Sequence, residues 1–511
     1  MPNRIFDINH IISYDKTTIN TYPVGFYSGA LDSRGTHFLI AFLDNVASKH
    51  QDIGPVIFIT TASNTPVHVH VTSPGTLKPY VNQRFVVIRG VVHQLAVSPD
   101  FRLDHTEMSH KAIEITADEE IVVYGVNREV HSDDGYLALP TDVLGSEYYT
   151  ISYAPSYHYC VFAVIATENN THVAIKLPSH RNVSVSYRHH TYHRNQWINV
   201  TMNRYDTFQI SSVGDLTGSH VISDYPVGVI SGNKKTIVGN TGTTRDHLAE
   251  MLLPVRAWGK NFVTVPIPER NVGDLFRFVA SQDNTEVNIT GKINGTIFSD
   301  HFIIPHAGSH VQKMYSSFLY SHVVASKPIA LYEFSVTETS HENSDPSLIT
   351  VPPIEQYARD YTFTTPKYSL GQYQNYFMFV TDAKHKGGLL LDGHRLPHNQ
   401  KYVHIPGIHL VGGYINITVG THTVTHTNPN IAIGGILFGR ASKESYGFPI
   451  GLLVAPLNSG YDASSMIRGD GIDNDCDGEV DEEHCDGKDN DGDGRIDEDC
   501  MGEEITSSVI G

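Results

Sequence analysis

Three sequence landmarks recur in the same order along most of this chain, and they constrain its fold more than any single motif does. The first is an apolar strand, a polar turn with Asn and Thr, and an alternating strand, as in FITTASNTPVHVHV, VIATENNTHVAIKL and FVASQDNTEVNITG. The turn residues Asn64, Asn170 and Asn284 suit this place because Asn side chains bond the nearby backbone. Such recurrence predicts a repeat architecture.

The second landmark is a short polar turn that leads into an apolar strand, as in SDYPVGVISGN, ASKPIALYEF and TNPNIAIGGILFG. Pro226, Pro328 and Pro429 mark it, and we expect proline at the strand entry because it costs no ladder hydrogen bond there. The third landmark joins Leu or Val to Pro and then to a new strand, as in LALPTDVLGSEYYTISY, EMLLPVRAWGKNFVTVPI and ITVPPIEQYARDYTFTTP.

Period-2 apolar patterns dominate this region, and long helical periodicity is absent, so we predict an all-β protein. Units of roughly 100 residues can enclose their own cores, which favours about four tandem β-sandwich-like modules. A closed propeller-like ring is the alternative. The predicted organisation is a lead-in at 1–24, four units at 25–155, 156–270, 271–370 and 371–456, a linker at 457–469, a double calcium-loop segment at 470–500 and a tail at 501–511.

The segment 470–500 holds fifteen carboxylates and two basic side chains, in a chain whose net charge is −19. It consists of two aligned copies, DGIDNDCDGEVDEE and DGKDNDGDGRIDED. Alternating Asp oxygens in a tight loop are the ligands that Ca²⁺ prefers. Gly478 and Gly494 occupy the sixth loop positions, where a sharp turn needs glycine.

We therefore predict Ca²⁺ as the cofactor, bound by side chains and by the backbone carbonyls of Glu479 and Arg495. The ten candidate ligands are Asp473, Asp475, Asp477, Glu479, Asp481, Asp489, Asp491, Asp493, Arg495 and Asp497. The twelfth positions hold His484 and Cys500 rather than a bidentate Glu, so these loops are similar to thrombospondin type 3 loops rather than to EF-hands.

Two sequence features predict a secreted protein, with a signal peptide that is not present in this sequence. Six N-glycosylation sequons occur, at Asn169, Asn182, Asn199, Asn288, Asn294 and Asn416. Three of the four cysteines, Cys476, Cys485 and Cys500, lie in the acidic segment, where disulfides would suit an oxidising compartment. Cys160 stands alone in an apolar run, and we expect it to be buried or unpaired.

Other functions lack support in the sequence. The body outside the acidic segment is nearly neutral, so we expect no nucleic-acid partner, and no apolar run is long enough to span a membrane. His68 and His70 share a strand face that could chelate Zn²⁺, but without a third ligand we interpret them as surface residues. The segment RHHTYHRNQW is expected to be a solvated loop, with anionic-glycan binding as the alternative.

Several long segments identify a family resemblance. GTHFLIAFLDN, DDGYLALPTDVLGSEYY, DLTGSHVISDYPVGVISGNK, DHLAEMLLPVRAWGKNFVTVPI and DPSLITVPPIEQY resemble, in order, the IgGFc-binding domain family of secreted proteins. Lys235 and Arg245 stand near the places where members of that family carry cysteines. The resemblance implies that packing holds the unit without that disulfide.

The resemblance also implies an extracellular, non-enzymatic binding or adhesive role in matrix, mucus or surface recognition. The expected partner is an extracellular glycoprotein or glycan, and Fc binding itself does not follow. A secreted hydrolase that uses the calcium loops as a stabilising or attachment module is the alternative function.

Overall fold

The computed structural model describes residues 31–46, 53–75, 80–129, 132–240, 242–293, 295–338, 345–367 and 371–458. Within them the predicted all-β class is confirmed, since the helices there are five one-turn 3₁₀ segments. The chain divides into a compact unit, Met1–Val454, and a second unit, Ala455–Gly511. Only residues 455–458 of the second unit are described.

The first unit contains four modules in chain order. The first holds β1 (Gly35–Ile40), β2 (Val56–Thr60), β3 (Val67–Thr72), β4 (Asn82–Val87), β5 (His93–Ala96), β6 (Glu107–Ser109), β7 (Ile113–Val126) and β8 (Gly135–Leu137). Of these, β6 adds to a sheet of the second module. The second holds β9 (Gly145–Tyr149), β10 (Cys160–Ala166), β11 (Thr171–Lys176), β12 (Ser184–Tyr187), β13 (His190–His193), β14 (Trp197–Met202), β15 (Thr207–Ser212), β16 (His220–Thr236) and β17 (Asp246–Met251).

The third module holds β18 (Asn261–Thr264), β19 (Asp274–Ala280), β20 (Thr285–Ile293), β21 (Thr296–Ile304), β22 (His310–Tyr315), β23 (Tyr320–Ala325), β24 (Ile329–Phe334) and β25 (Leu348–Thr350). The fourth holds β26 (Tyr361–Thr364), β27 (Gln374–Asp382), β28 (Leu389–Leu391), β29 (His394–Arg395), β30 (Val403–His404), β31 (Leu410–Ile417), β32 (Thr421–His426), β33 (Gly434–Ala441) and β34 (Glu444–Pro449).

Each module is a sandwich of two antiparallel sheets with one shared plan. In the first module the sheets run β1-β7-β3-β4 and β8-β7-β2-β5. The third module repeats this order as β18-β23-β20-β21 and β25-β24-β19-β22. The sheets that contain β3 and β20 bury one face, so buried and exposed side chains alternate along these strands, whereas β2, β10 and β19 are buried along their whole length. The predicted sandwich modules are therefore present.

In the first two modules one long strand, β7 or β16, takes part in both sheets. The first half of β16 pairs with β11 and its second half with β10, and residues 224–226 fall between the two ladders. Pro226 lies there, inside a continuous strand and not at a strand entry as the sequence suggested. Pro328 and Pro429 lie where the equivalent strand is interrupted. Proline fits all three places because no ladder requires an N–H group there.

The third landmark marks the module junctions. One-turn 3₁₀ helices at Thr141–Val143, Val255–Ala257 and Ile354–Gln356 lead into β9, β18 and β26. Hydrogen bonds join β9 to β16, β18 to β23 and β26 to β32, so each of these strands belongs to the module that follows. The predicted boundaries at 155, 270 and 370 lie after these strands, because local sequence patterns do not show their distant partners.

The four modules close into a ring. Their last strands meet, with β8 and β25 each packed against both β17 and β34. The fourth module returns to the first, where Asp32 pairs with Leu453 and the Tyr124 hydroxyl donates to the carbonyl of Ile450 at 3.3 Å. Sandwich modules and a closed ring, which the sequence posed as alternatives, therefore occur together.

Candidate functional site

The ten predicted calcium ligands lie outside the described residues, as do Cys476, Cys485 and Cys500. Cys160 is described, and it is a buried free cysteine as expected. Its thiol donates to the carbonyl of Tyr153 at 3.1 Å, and burial raises its pKa to about 12. A thiol held in this form is a poor nucleophile, so Cys160 acts as a core residue.

A buried group of carboxylates lies where the four modules meet. Asp133, Asp246, Asp345 and Glu444 come from successive modules, each at the start of a last strand or within three residues before it. All four are at most 2% exposed. Asp246 interacts electrostatically with the other three and with Lys235. We call this group the axial carboxylates.

Burial shifts the pKa values of the axial carboxylates. Burial is the largest cause in each case; it raises the pKa of Asp345 to about 6 and raises the pKa of Asp133, Asp246 and Glu444. Glu444 accepts the backbone N–H of Asp133 at 3.1 Å, which ties the fourth module to the first. One oxygen each of Asp246 and Asp345 has no hydrogen-bond partner within the described part of the chain.

Asp134, next in sequence, has a different environment. Its carboxylate accepts backbone N–H groups from Gly135 at 2.9 Å, Ala249 at 3.1 Å and Leu348 at 3.3 Å, and so joins three modules. Burial nevertheless raises its pKa. Asp134 is therefore a structural hydrogen-bond acceptor that links the first three modules.

One described group of side chains has the spacing of a metal site. Potential ligand atoms of Asp44, Asp104 and His105 lie within 4.8 Å of one another, whereas no set of axial carboxylates in the described residues does so. The ammonium group of Lys234 already lies 2.8 Å from the Asp44 carboxylate. Asp44 is the one buried member of the group, and it already pairs with Lys234. We therefore interpret these side chains as part of the interface between the first two modules and not as a metal site.

The histidine pair considered for Zn²⁺ has local partners. The ring of His68 lies 2.8 Å from Asp118, and that of His70 lies 2.9 Å from Asn82. The second module repeats the first contact, with His172 and Asp224 at 2.7 Å. In both modules the His–Asp contact joins β3 or β11 to the part of the long strand, β7 or β16, that passes from one sheet to the other. These local partners agree with the interpretation of His68 and His70 as surface residues.

The basic segment forms a β-hairpin and not the loop that the sequence suggested. β12 and β13 pair from Ser184 opposite His193 to Tyr187 opposite His190. Val185 is fully buried, and the ring of Tyr187 packs on Phe208 at 4.8 Å. The hairpin is inserted between β11 and β14, which pair directly with each other. Its tip and both arginine-bearing ends are exposed. An open depression of about 520 Å³ lies beside it, lined by residues that include Arg181, His193 and Arg194.

Comparison with known proteins identifies the family. The model of the family described as "IgGFc binding protein" matches residues 134–439, which is more than half of the 511 residues. The chain belongs to the IgGFc-binding protein family. The IgGFc-binding protein of Homo sapiens is 25% identical over 413 residues, which are 80% of this chain but 7% of that protein.

One solved structure is similar over most of the chain, a tetra-tandem repeat in the extending region of a large adhesion protein. It covers 82% of this chain and 98% of its own at 11% identity, with a TM-score of 0.10. A TM-score this low does not indicate a shared fold. Among the described residues, no helix has the length and apolar character needed to cross a membrane.

Lys235 and Arg245 are placed by a β ladder. Lys235 and Arg245 lie at the end of the β16–β17 ladder, which runs from Ile230 opposite Met251 to Thr236 opposite Asp246. Backbone hydrogen bonds therefore join the two strands beside Lys235 and Arg245.

Asp134→Asn should lower the free energy of unfolding by about 2 kcal/mol, because an amide with one acceptor oxygen replaces a carboxyl group that accepts three backbone N–H groups. Asp345→Asn is the matched control, and we expect it to stabilise the ring by about 1–2 kcal/mol because it removes a buried like charge. Urea denaturation measures both changes.

The gain from Asp345→Asn should depend on pH. A folded-state pKa of about 6, above the ordinary 3.8, favours the protonated carboxyl, so the wild type loses stability as the pH rises between these values. The two proteins should be similarly stable near pH 4 and differ most above pH 6. Equal differences at pH 4 and pH 7 would contradict this assignment.

Proposed function

We propose that this protein is a secreted, non-enzymatic binding protein that acts in extracellular matrix, mucus or surface recognition. Membership of a family named for binding is the observation that carries the proposal. It favours a binding role over the hydrolase alternative. The partner is an extracellular glycoprotein or glycan.

The sequons support the extracellular assignment. Asn169, Asn182, Asn199, Asn288 and Asn416 are all exposed, and three of them lie within strands, at Asn199, Asn288 and Asn416. An exposed acceptor amide is a requirement for N-glycosylation. The protein can therefore carry glycans at these five asparagines without unfolding a module.

We also propose that the acidic segment binds Ca²⁺ through the ten ligands from Asp473 to Asp497. Two aligned copies of the loop support this, since each supplies Asp at the first, third, fifth and ninth positions and Gly at the sixth. The expected affinity is about 10⁻⁴ to 10⁻³ M, as in other extracellular modules. Such an affinity is useful where calcium is abundant.

Protein secreted from a glycosylating host should carry N-glycans on Asn169 and Asn288. Mass spectrometry of tryptic peptides before and after enzymatic deglycosylation measures their occupancy. Bare asparagines at both positions in secreted material would contradict the extracellular assignment.

Calcium binding should be lost when Asp473, Asp475, Asp489 and Asp491 are replaced by Asn, because each loop then lacks two carboxylates. Isothermal titration of the full chain with CaCl₂ should show two sites with a dissociation constant of about 0.1–1 mM, and the variant should show neither. The control replaces Glu503 and Glu504, which lie beyond the loops, by Gln. Equal heat in the wild type and the Asn variant would refute the loop assignment.

A glycan and glycoprotein array tests the binding role. We expect the full chain to bind a defined subset of extracellular glycans or glycoproteins in 2 mM CaCl₂, a concentration of about the extracellular order. Binding to none of them, together with turnover of a polysaccharide, would favour the hydrolase.

A further inference from the structure

A long segment of the second module has no acidic residue. Between Glu168 and Asp206 the chain has five Lys or Arg residues and five His residues but neither Asp nor Glu, although the whole chain has a net charge of −19. The segment runs from β11 through the hairpin to β15. It is a local basic surface on an acidic protein.

Most of this charge is available to a ligand. Arg204 is the exception, since it pairs with Glu114 of the first module. Lys176, Arg181, Arg188 and Arg194 are exposed, and none of them forms an ion pair within the described ranges. An unpaired arginine fork on a surface suits a planar or tetrahedral anion, which it can bind through two parallel hydrogen bonds.

The hairpin that carries these arginines is held firmly. Val183 and Val185 are at most 3% exposed, and Tyr187 packs on Phe208. Within the described residues, the other three modules connect the corresponding strands without such an insertion. A rigid, inserted hairpin fixes the spacing of the charges, which a solvated loop would not do.

The turn at the tip carries conformational strain. Arg188 and His189 have φ angles of +48° and +64°, the left-handed region that a two-residue type I′ turn requires. Asn-Gly is the preferred sequence there, and larger residues are disfavoured. The hairpin therefore places two basic side chains at its most exposed point despite a structural cost, a pattern that accompanies functional sites.

We propose that this hairpin surface binds a sulfated glycan. The inference deepens the proposed function and rests on it, because it assigns the ligand class and the place where the ligand binds. The arginines bind sulfate groups, and Lys176, which lies over the Trp197 ring at 6.0 Å, adds an exposed cation beside them. Each hairpin strand of four residues spans about 13 Å, enough for a short stretch of a polymer.

Charge complementarity favours a short sulfated segment over a nucleic acid or a membrane. The remainder of the chain is acidic overall and disfavours an extended polyanion, whereas the segment between Glu168 and Asp206 has basic residues and no acidic one. An anionic membrane or a long duplex would meet the acidic remainder as well.

The test uses the full chain and immobilised heparin, measured by surface plasmon resonance at several salt concentrations. Arg181→Gln, Arg188→Gln and Arg194→Gln together should weaken binding at least about tenfold. The slope of log affinity against log salt should become about two to three units shallower, since three charges no longer release counterions. The matched control removes three exposed charges elsewhere, with Arg84→Gln, Lys260→Gln and Arg359→Gln.

A second variant separates binding from folding. Arg188→Asn with His189→Gly installs the preferred turn, so its melting temperature should rise by about 2 °C while heparin affinity falls. A destabilised hairpin would lower both quantities. Unchanged heparin affinity in the triple variant, or an equal loss in the control, would overturn the proposal.

Further ligands show which chemistry is bound. Hyaluronan, duplex DNA and vesicles of phosphatidylserine should bind more weakly than heparin, and a preference for the DNA or the vesicles would overturn the glycan assignment. An array ligand that binds the triple variant and the wild type equally would refute this site while leaving the proposed function intact. If no array ligand binds, the proposed function is refuted. Heparin binding that the triple variant loses would then still show that the hairpin surface binds anions.

Discussion

Closure of the ring depends on backbone hydrogen bonds that cross between modules and end on buried acceptors. Asp134 accepts N–H groups from two neighbouring modules, and Glu444 accepts one from the first. A buried acceptor with several donors is favourable, while a buried carboxylate without donors is costly. The junction contains both kinds, so its stability is a balance between directed hydrogen bonds and repulsion among like charges.

Local patterns predicted the local structure well. The turn residues Asn170 and Asn284 have φ angles of +60° and +53°, which agrees with the left-handed tolerance of Asn. The all-β class followed from the period-2 patterns. Non-local features were missed because their partners are distant in sequence: β9 pairs with β16, and the axial carboxylates meet only after the ring closes.

The basic hairpin was missed for two further reasons. Its turn, Arg188–His189, has none of the residues that mark a type I′ turn, so the segment was interpreted as a loop. The nearly neutral average charge of the body also concealed the acid-free segment between Glu168 and Asp206. The structure corrects both points because it shows the strand pairing and the exposure of each side chain.

The pairing of Asp32 with Leu453 places the entry and the exit of the ring side by side. Ser33 donates to Leu452 at 2.9 Å and Val454 donates to Leu31 at 2.8 Å, so Leu31 and Val454 lie at the same end of an antiparallel pair. Tension applied at Leu31 and Val454 would break these hydrogen bonds one after another, because it would not load them together in shear. Under mechanical force, this seam would separate before any sandwich lost its core.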